Sequence, residues 1–161
     1  MNREIKFRAW DKSKRIMYSS NCTNLLLHFN GQLQSYDEYG KLLGTFNTPE
    51  MKIMQYIGLK DKNGKEIYEN DILKVLVRQK EKHAPVDGLE TIVDDLFSDI
   101  GLKETYFWTV EYVNFNTYSG FRCYGTNRRF NIPLTYSTLI NTEAEIIGNI
   151  YENPELLEAQ Q

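Results

Sequence analysis

A chain of 161 residues with 13% aromatic side chains and a net charge of −3 is long enough to bury one core, and the aromatic content favours strands over helices. The two cysteines, Cys22 and Cys123, stand too far apart for a metal-ligand spacing, and a disulfide framework is not expected at this size. The N-terminal residues lack the apolar core of a signal peptide, and no apolar run approaches a membrane span. We therefore expect a cytoplasmic protein with reduced thiols, no membrane association and no cofactor.

Charge is unevenly distributed along the chain. Residues 1 to 80 contain 14 Lys and Arg against 9 Asp and Glu, whereas residues 81 to 161 contain 5 against 13. The two halves therefore carry net charges of +5 and −8. The simplest interpretation is solvated surface, but the split also allows a basic binding face or association between copies of the chain.

The N-terminal fifty residues contain two predicted β-hairpins. Residues 4 to 10 alternate, with Ile5, Phe7 and Ala9 on one face and Lys6, Arg8 and Trp10 on the other. The polar break 11–14 then lets 15–18 return antiparallel. A second pair, 25–29 and 32–36, is joined by Asn30-Gly31, which is typical of a type I′ turn. Residues 37–49 are predicted to be mostly loop.

The clearest pattern in the chain lies in residues 55–78. Asn63-Gly64 predicts another type I′ hairpin, and Glu69-Asn70-Asp71 is a second polar break before a β-branched run. From residue 72 the sequence predicts a strand with one face exposed to solvent. The residues on its apolar face are Leu73, Val75 and Val77, while Lys74 and Arg78 lie on the other face with Ile72 and Leu76.

Between residues 79 and 104 the spacing of apolar residues changes from the two-residue period of a strand to the 3.6-residue period of a helix. Asp87 and Glu90 form a capping box, and an apolar stripe from Leu89 to Ile100 predicts a helix over about 88–100. From residue 105 the chain returns to strands at 106–113, 121–124 and 145–151, with Pro133 restricting its segment to a sheet edge. Asn153 and Pro154 then open a terminal helical turn.

These elements predict an α+β, mostly antiparallel β fold. We expect a small, partly open, SH3-like barrel around residues 51–78 and 106–151, with the N-terminal hairpins attached and one inserted helix. We therefore expect two regions: a β-hairpin region at 1–50, and a barrel-like region at 51–161 that contains the helical insertion 79–104.

Three blocks of this sequence resemble the YopX family of bacteriophage and prophage proteins. They are Arg3–Asp11, Met54–Ile72 and Ile146–Leu157, so the resemblance spans both ends and the centre of the chain. Asn70 stands where we expect the family to have Gly, which implies a positive φ at this position. The resemblance implies a small β-rich phage accessory protein of uncharacterised activity, with no catalytic residues to carry over.

The strongest signal for nucleic-acid binding is the basic N-terminal strand. Positive charge for phosphates and a ring for base stacking come together in Lys6, Arg8, Trp10, Lys12 and Arg15. Basic side chains on the wet face of an edge strand also prevent edge-to-edge aggregation, which is the simpler interpretation. The acidic pI of about 5.5 argues against a broad phosphate-binding surface.

The other polar constellations have simpler structural interpretations. Asp61, Glu66, Glu69 and Asp71 flank two turns, where capping of backbone groups is favoured over acid–base chemistry. His28 and His83 have no nearby partner at a metal-ligand spacing. No phosphate-binding loop or nucleophile motif is present.

The sequence therefore leaves three classes of function open. We favour a non-catalytic binding module that docks on a host or phage macromolecule, with a protein partner favoured over nucleic acid because the chain is acidic. Nucleic-acid binding through the basic strand is the alternative, and an enzyme of unknown class is the third. Self-association is a further expectation, since the fold offers several strand edges.

Overall fold

The computed structural model describes residues 4–19, 25–28, 30, 32–46, 50–78, 103–115, 118–125 and 131–158. The strands are β1 (Phe7–Asp11), β2 (Ile16–Tyr18), β3 (Leu25–Leu27), β4 (Leu33–Tyr36), β5 (Leu42–Phe46), β6 (Met51–Lys60), β7 (Glu66–Tyr68), β8 (Asp71–Arg78), β9 (Lys103–Phe115), β10 (Tyr118–Gly125), β11 (Asn131–Pro133) and β12 (Glu145–Asn149). The helices are α1 (Tyr136–Asn141) and α2 (Glu155–Glu158). The chain divides into unit 1, Met1–Gly58, and unit 2, Leu59–Gln161.

The predicted fold class is confirmed. The protein is mostly antiparallel β with two short helices in its described part, and one sheet curls into a half-barrel. The predicted helix at 88–100, and the insertion 79–104 apart from its last two residues, lie outside the described residues.

The strands of unit 1 belong to two antiparallel sheets. In the first, β1 lies between β2 and β6, with Ala9 opposite Tyr18 on one side and Ile53 on the other. In the second, β4 lies between β3 and β5. The strand pairing of both predicted N-terminal hairpins is thus confirmed, whereas Gly31 of the predicted type I′ turn lies outside the described residues. Strand β1 is an inner strand rather than the edge strand that its basic side chains suggested.

The core of unit 1 forms where one face of each sheet meets the other. Its buried residues are Ala9, Leu33 and Met51, with Tyr18, Leu27, Phe46 and Ile53 packed against them. Leu27, Leu33 and Phe46 are directly opposite one another across the three strands. Cross-strand pairs of this kind are the packing unit of a sheet, so they fix which face points inward.

The prediction that residues 37–49 are mostly loop is wrong, because Leu42–Phe46 form β5. The reversal is made by Asp37, whose carboxylate accepts from the backbone N–H of Tyr39 at 3.0 Å and of Lys41 at 2.8 Å. Gly40 supplies the positive φ of 81° that the turn needs. Gly40 and Gly44 suggested a loop, but Gly40 belongs to this turn and Gly44 follows a bulge in β5.

The central module at 55–78 is confirmed as a hairpin, a second turn and a strand, but its first turn is of another type. Gly64 N–H donates to the carbonyl of Asp61, and Gly64 alone of the pair Asn63-Gly64 has a positive φ, of 80°. This is a three-residue hairpin loop ended by a left-handed glycine, not a type I′ turn. At the second turn Asn70 has a φ of 64°, as the family resemblance implied.

Unit 2 is organised by a five-stranded antiparallel sheet in the order β11-β10-β9-β8-β12. One face of it supplies the core, and its buried residues include Leu73, Val75, Val77, Trp108, Val110 and Cys123. The prediction for the strand from residue 72 is therefore confirmed on its apolar side, although Ile72 on the Lys74 face is also fully buried. Pro133 lies in an edge strand, as predicted.

Of the two described helices, α2 was predicted and α1 was not. The carbonyls of Asn153 and Pro154 accept from the N–H groups of Leu156 and Leu157, which forms the predicted terminal turn. Helix α1 begins after Thr135, whose hydroxyl accepts from Thr138 N–H. The β-branched residues around it hid this helix from a propensity argument.

Candidate functional site

The structure divides the predicted nucleic-acid-binding residues between a sheet face and a turn. Lys6, Arg8 and Trp10 do share one face, as the alternation predicted. At Trp10, however, this face is buried and not exposed to solvent. Trp10 is only 7% exposed, and the neighbouring Met54 and Tyr56 are also buried. The predicted exposure of Trp10 is therefore wrong, because both faces of β1 are buried near its C-terminal end, where Ala9 on one face and Trp10 on the other are 2% and 7% exposed. Its ring is not presented to a base.

Lys6 and Arg8 are half-buried and engaged within unit 1. Lys6 Nζ lies 3.0 Å from Glu4 Oε1 and 5.6 Å from the centre of the Tyr56 ring. Arg8 Nη2 donates to Met54 Sδ at 3.5 Å. The charge of Lys6 is therefore partly compensated, and both side chains are partly desolvated, unlike freely solvated phosphate-binding side chains.

Lys12 and Arg15 are exposed in the turn between β1 and β2. The turn is held by buried Asp11, whose Oδ1 accepts from Ser13 N–H at 2.9 Å, Ser13 Oγ at 2.7 Å and Lys14 N–H at 3.0 Å. The hydrogen bond from the Ser13 hydroxyl, followed by that from Lys14 N–H, lowers the pKa of Asp11. Arg15 has a φ of 56°, a conformation unusual for a residue with a Cβ.

The two aspartates of the central module have the turn chemistry that the sequence predicted, whereas Glu66 accepts from the Tyr68 hydroxyl at 2.9 Å. Asp61 Oδ1 accepts from Asn63 N–H and Lys65 N–H, both at 2.9 Å. Asp71, which is fully buried, accepts from Tyr68 N–H at 2.8 Å. These carboxylates accept hydrogen bonds from backbone N–H groups that would otherwise have no partner, so their role is structural.

The same turn is fastened to β12 by two further contacts. Asp61 Oδ2 accepts from Ile146 N–H at 3.0 Å, and Lys62 Nζ lies 2.6 Å from Glu145 Oε2. The hydrogen bond between Lys62 and Glu145 raises the pKa of the lysine and lowers the pKa of the glutamate. Both side chains are solvent-accessible, so the backbone bond to Asp61 is the stronger restraint.

The remaining candidates for chemistry are placed as follows. His28 Nε2 lies 2.6 Å from Gln34 Oε1, while His83 and Cys22 lie outside the described residues. Cys123 is buried, and burial raises the pKa of its thiol, which disfavours the reactive thiolate. Within the described ranges, no group of three or more His, Cys, Asp or Glu side chains is placed to hold a metal ion.

Sequence reasoning missed the exposed apolar surface of the three-stranded sheet. Its outer face, the one turned away from the core of unit 1, is defined by Leu26, Gln34, Tyr36 and Leu42 through the pairs Leu26↔Gln34 and Tyr36↔Leu42. Leu26 is 49% and Leu42 47% exposed. Leu42 was hidden from prediction because the strand that carries it was assigned to a loop.

Two more exposed apolar residues lie beside this outer face. Tyr39, in the turn before β5, is 87% exposed, and Leu43, the extra residue at the β5 bulge, is 65% exposed. On the face itself, Tyr36 OH donates to Gln34 Oε1 at 2.6 Å, the same oxygen that contacts His28. The surface thus combines large apolar groups with a small polar network, a composition typical of protein interfaces.

Taken together, these features define a small, mostly antiparallel β protein whose described buried carboxylates are used in turns. A family model described as YopX protein matches residues 6–158. The chain therefore belongs to the YopX family, as its three sequence blocks suggested.

Solved structures support the fold. Protein EF1440 from Enterococcus faecalis, known from a crystal structure, matches with a TM-score of 0.56 and 23% identity, over 97% of this chain and 99% of its own. YopX from Bacillus subtilis matches with a TM-score of 0.50 and 17% identity, over 94% and 96%. At these identities the likeness shows fold alone. No curated protein matches the chain.

No helix in the described residues is long and apolar enough to cross a membrane.

Proposed function

We propose that this chain is a non-catalytic binding module that docks on a protein partner through the outer face of its three-stranded sheet. The observation that carries the proposal is the grouping of exposed large apolar side chains. Leu26, Tyr39, Leu42 and Leu43 lie on or beside one small sheet, with exposures between 47% and 87%. Isolated surface leucines need no explanation, but such a group on one sheet is typical of an interaction surface.

The setting of the proposal is the cytoplasm of a bacterial cell that carries a phage or prophage. This setting comes from the resemblance to the YopX family, which implied a phage accessory role. A binding role also fits the way charged groups are used, because the buried carboxylates Asp11, Asp61 and Asp71 each accept backbone N–H groups. Groups committed in this way are poorly suited to move protons to and from a substrate.

A protein partner is favoured over nucleic acid by the positions of the basic residues. Of the five predicted contacts, only Lys12 and Arg15 are exposed, and they lie in one short turn. Nucleic-acid binding normally tracks the phosphate backbone with several cations and stacks bases on exposed rings. The burial of Trp10 removes the stacking element from the predicted set.

The test is affinity capture from a lysate of the bacterial host, with and without nuclease, using the tagged chain and two variants. Leu43→Asp places a charge beside the outer face, and Ile140→Asp places one at a comparably exposed apolar position in unit 2, where Ile140 is 54% exposed. We expect a nuclease-resistant protein that is recovered with the wild type and with Ile140→Asp, but not with Leu43→Asp.

Three results would oppose this proposal. Recovery that disappears with nuclease would favour nucleic acid, and Lys12→Glu with Arg15→Glu would then abolish it with a steep dependence on salt. Equal recovery with both apolar variants would show that the outer face is not used. Turnover of a small molecule by the purified chain would favour the enzyme class.

A further inference from the structure

One oxygen sets the direction of every hydrogen bond in the polar network on the outer face. Gln34 Oε1 accepts from Tyr36 OH at 2.6 Å and lies 2.6 Å from His28 Nε2. Because a carbonyl oxygen can only accept, the proton between Gln34 and His28 belongs to the imidazole Nε2. The two donors occupy both lone pairs of the oxygen, so they fix the orientation of the Gln34 amide.

This arrangement gives the outer face a defined donor and a defined acceptor. With its oxygen occupied, Gln34 interacts further through the two N–H groups of its amide. With Nε2 protonated, the neutral ring of His28 offers Nδ1 as an acceptor. His28 belongs to this face because it follows Leu26 by two positions and its N–H bonds to the Gln32 carbonyl, which extends the β3–β4 ladder by one pair. Both side chains are half-buried, so each also has a surface open to a ligand.

Large apolar side chains lie on both sides of this donor and acceptor. Leu26 is directly opposite Gln34 on β3, and Leu42 is directly opposite Tyr36 on β5. The two leucines are about half exposed, at 49% and 47%. A ligand that covers them therefore also covers the amide of Gln34, which must then find a partner in the ligand.

The charge of the outer face favours an uncharged ligand. None of the side chains named for this face carries a formal charge while His28 is neutral. At its border, Glu38 and Lys41 are exposed in the β4–β5 turn with opposite charges that cancel, and the Asp37 carboxylate accepts backbone N–H groups of that turn. A charged segment would lose its hydration here without gaining a counter-charge.

We propose that the outer face recognises an uncharged, apolar segment of its protein partner in extended conformation, and that Gln34 and His28 bond to the backbone of that segment, an inference that rests on the docking function proposed above. Each non-proline residue of such a segment offers one carbonyl, which accepts from the Gln34 amide, and one N–H, which donates to His28 Nδ1. A helical segment uses these groups within its own helix, so an extended one is required. Its apolar side chains cover Leu26 and Leu42.

The test is binding of the full chain to an array of short synthetic peptides in three sets, uncharged and apolar, acidic, or basic. The tightest-bound peptide is then titrated against variants by fluorescence anisotropy, and we expect it to come from the uncharged set. Gln34→Met keeps the length of the side chain and makes the face more apolar, yet it is expected to raise the dissociation constant about tenfold because the amide donors are lost. Gln55→Met is the matched control, since Gln55 is a half-buried glutamine on β6, and it should leave the dissociation constant unchanged.

Two further measurements test the network itself. Tyr36→Phe keeps the ring and removes one of the donors that orient the amide, so it should weaken binding by a smaller factor, and it covers the case in which Gln34→Met fails to fold. N-methylation of the peptide, one position at a time, removes the N–H that bonds to His28. The methylated position that loses most affinity for the wild type should lose less for His28→Phe, as a coupled pair requires.

The outcomes separate this inference from the docking function on which it rests. Binding by Gln34→Met that equals or exceeds that of the wild type would overturn the backbone recognition, and the docking function would stand if Leu43→Asp still abolished binding. A tightest peptide from the acidic or basic set would overturn the uncharged ligand. An array with no bound peptide, or a peptide bound equally by Leu43→Asp, would overturn the inference at its base.

Discussion

The β1–β2 turn and the β6–β7 turn are built on the same plan, and each bonds to a distant segment through its backbone, from Lys12 N–H to the Glu50 carbonyl and from Lys62 N–H to the Ala144 carbonyl. Among the described contacts, only in the β6–β7 turn does the aspartate itself also bond to a distant strand. Each begins with a buried aspartate, Asp11 or Asp61, that accepts two backbone N–H groups within its own turn. Asp11 adds the hydroxyl of Ser13 and an ion pair with Lys14 Nζ at 3.8 Å, whereas Asp61 adds the backbone N–H of Ile146, 85 positions away. A local capping motif therefore becomes a tertiary restraint when its second oxygen meets another strand.

The largest effect should come from removing the long-range carboxylate. Asp61→Ala leaves three backbone donors without their acceptor, including Ile146 N–H in the buried edge of β12, and is expected to lower the free energy of unfolding by about 3–4 kcal/mol. Urea denaturation followed by circular dichroism measures it. The control is Asp37→Ala, since Asp37 makes the same kind of turn contacts on the surface, and it should cost about 1 kcal/mol. Equal losses would show that the bond to Ile146 adds nothing.

The second effect depends on pH and concerns Asp11. Its pKa is lowered in the folded chain, chiefly by the Ser13 hydroxyl, so ionised Asp11 stabilises the fold above its unfolded pKa of about 3.9. That contribution is lost as the pH falls through the lower, folded pKa. Asp11→Asn keeps an oxygen acceptor but removes the charge. The stability difference between wild type and Asp11→Asn should therefore be constant near neutral pH and shrink below about pH 4.

This second prediction is checked by urea midpoints measured at several pH values between neutrality and pH 3. A difference that stays constant over the whole range would contradict the role given to the charge. A matched measurement on Asp37→Asn, in the exposed β4–β5 turn, controls for general effects of acid on the chain.

The smallest effects are expected at the residues with positive φ that end the two turns. Gly64, at φ 80°, has open space where a Cβ would lie, so Gly64→Ala should cost only the backbone strain, about 1 kcal/mol. Arg15, at φ 56°, already bears that strain, so Arg15→Gly should stabilise unit 1 by about 0.5 kcal/mol after the entropy cost of glycine. Thermal unfolding measures both changes. Changes of the same sign would refute the shared plan of the two turns.

Local patterns in the sequence were sufficient to predict most of the fold. Asn63-Gly64 and Asn70 tolerate a positive φ, and Pro133 has no backbone N–H to donate, so the positions of both turns and of the edge strand followed without tertiary information, although the type of the first turn did not. Strand β5 was missed because Gly40 and Gly44 suggested a loop. Helix α1 was missed because its β-branched residues favour strands, while the Thr135 cap that starts it is a common residue in loops as well.

The candidate sites were less predictable because they depend on what covers each face. Alternation correctly placed Lys6, Arg8 and Trp10 together, but it cannot tell which side of a strand meets water when both sides are packed. The bond from Ile146 to Asp61 and the exposure of Leu42 depend on strands brought together from distant segments. Such pairings follow from the whole topology and from no local pattern.

The burial of both tryptophans gives the protein a built-in spectroscopic reporter for each unit. Trp10 belongs to unit 1 and Trp108 to unit 2, and the chain contains no other tryptophan. Because indole emission shifts to the red when the ring becomes hydrated, Trp10→Phe leaves a signal from unit 2 alone, and Trp108→Phe leaves one from unit 1 alone. Fluorescence during denaturation then shows whether the hairpin unit and the five-stranded unit unfold as one cooperative body or in separate steps.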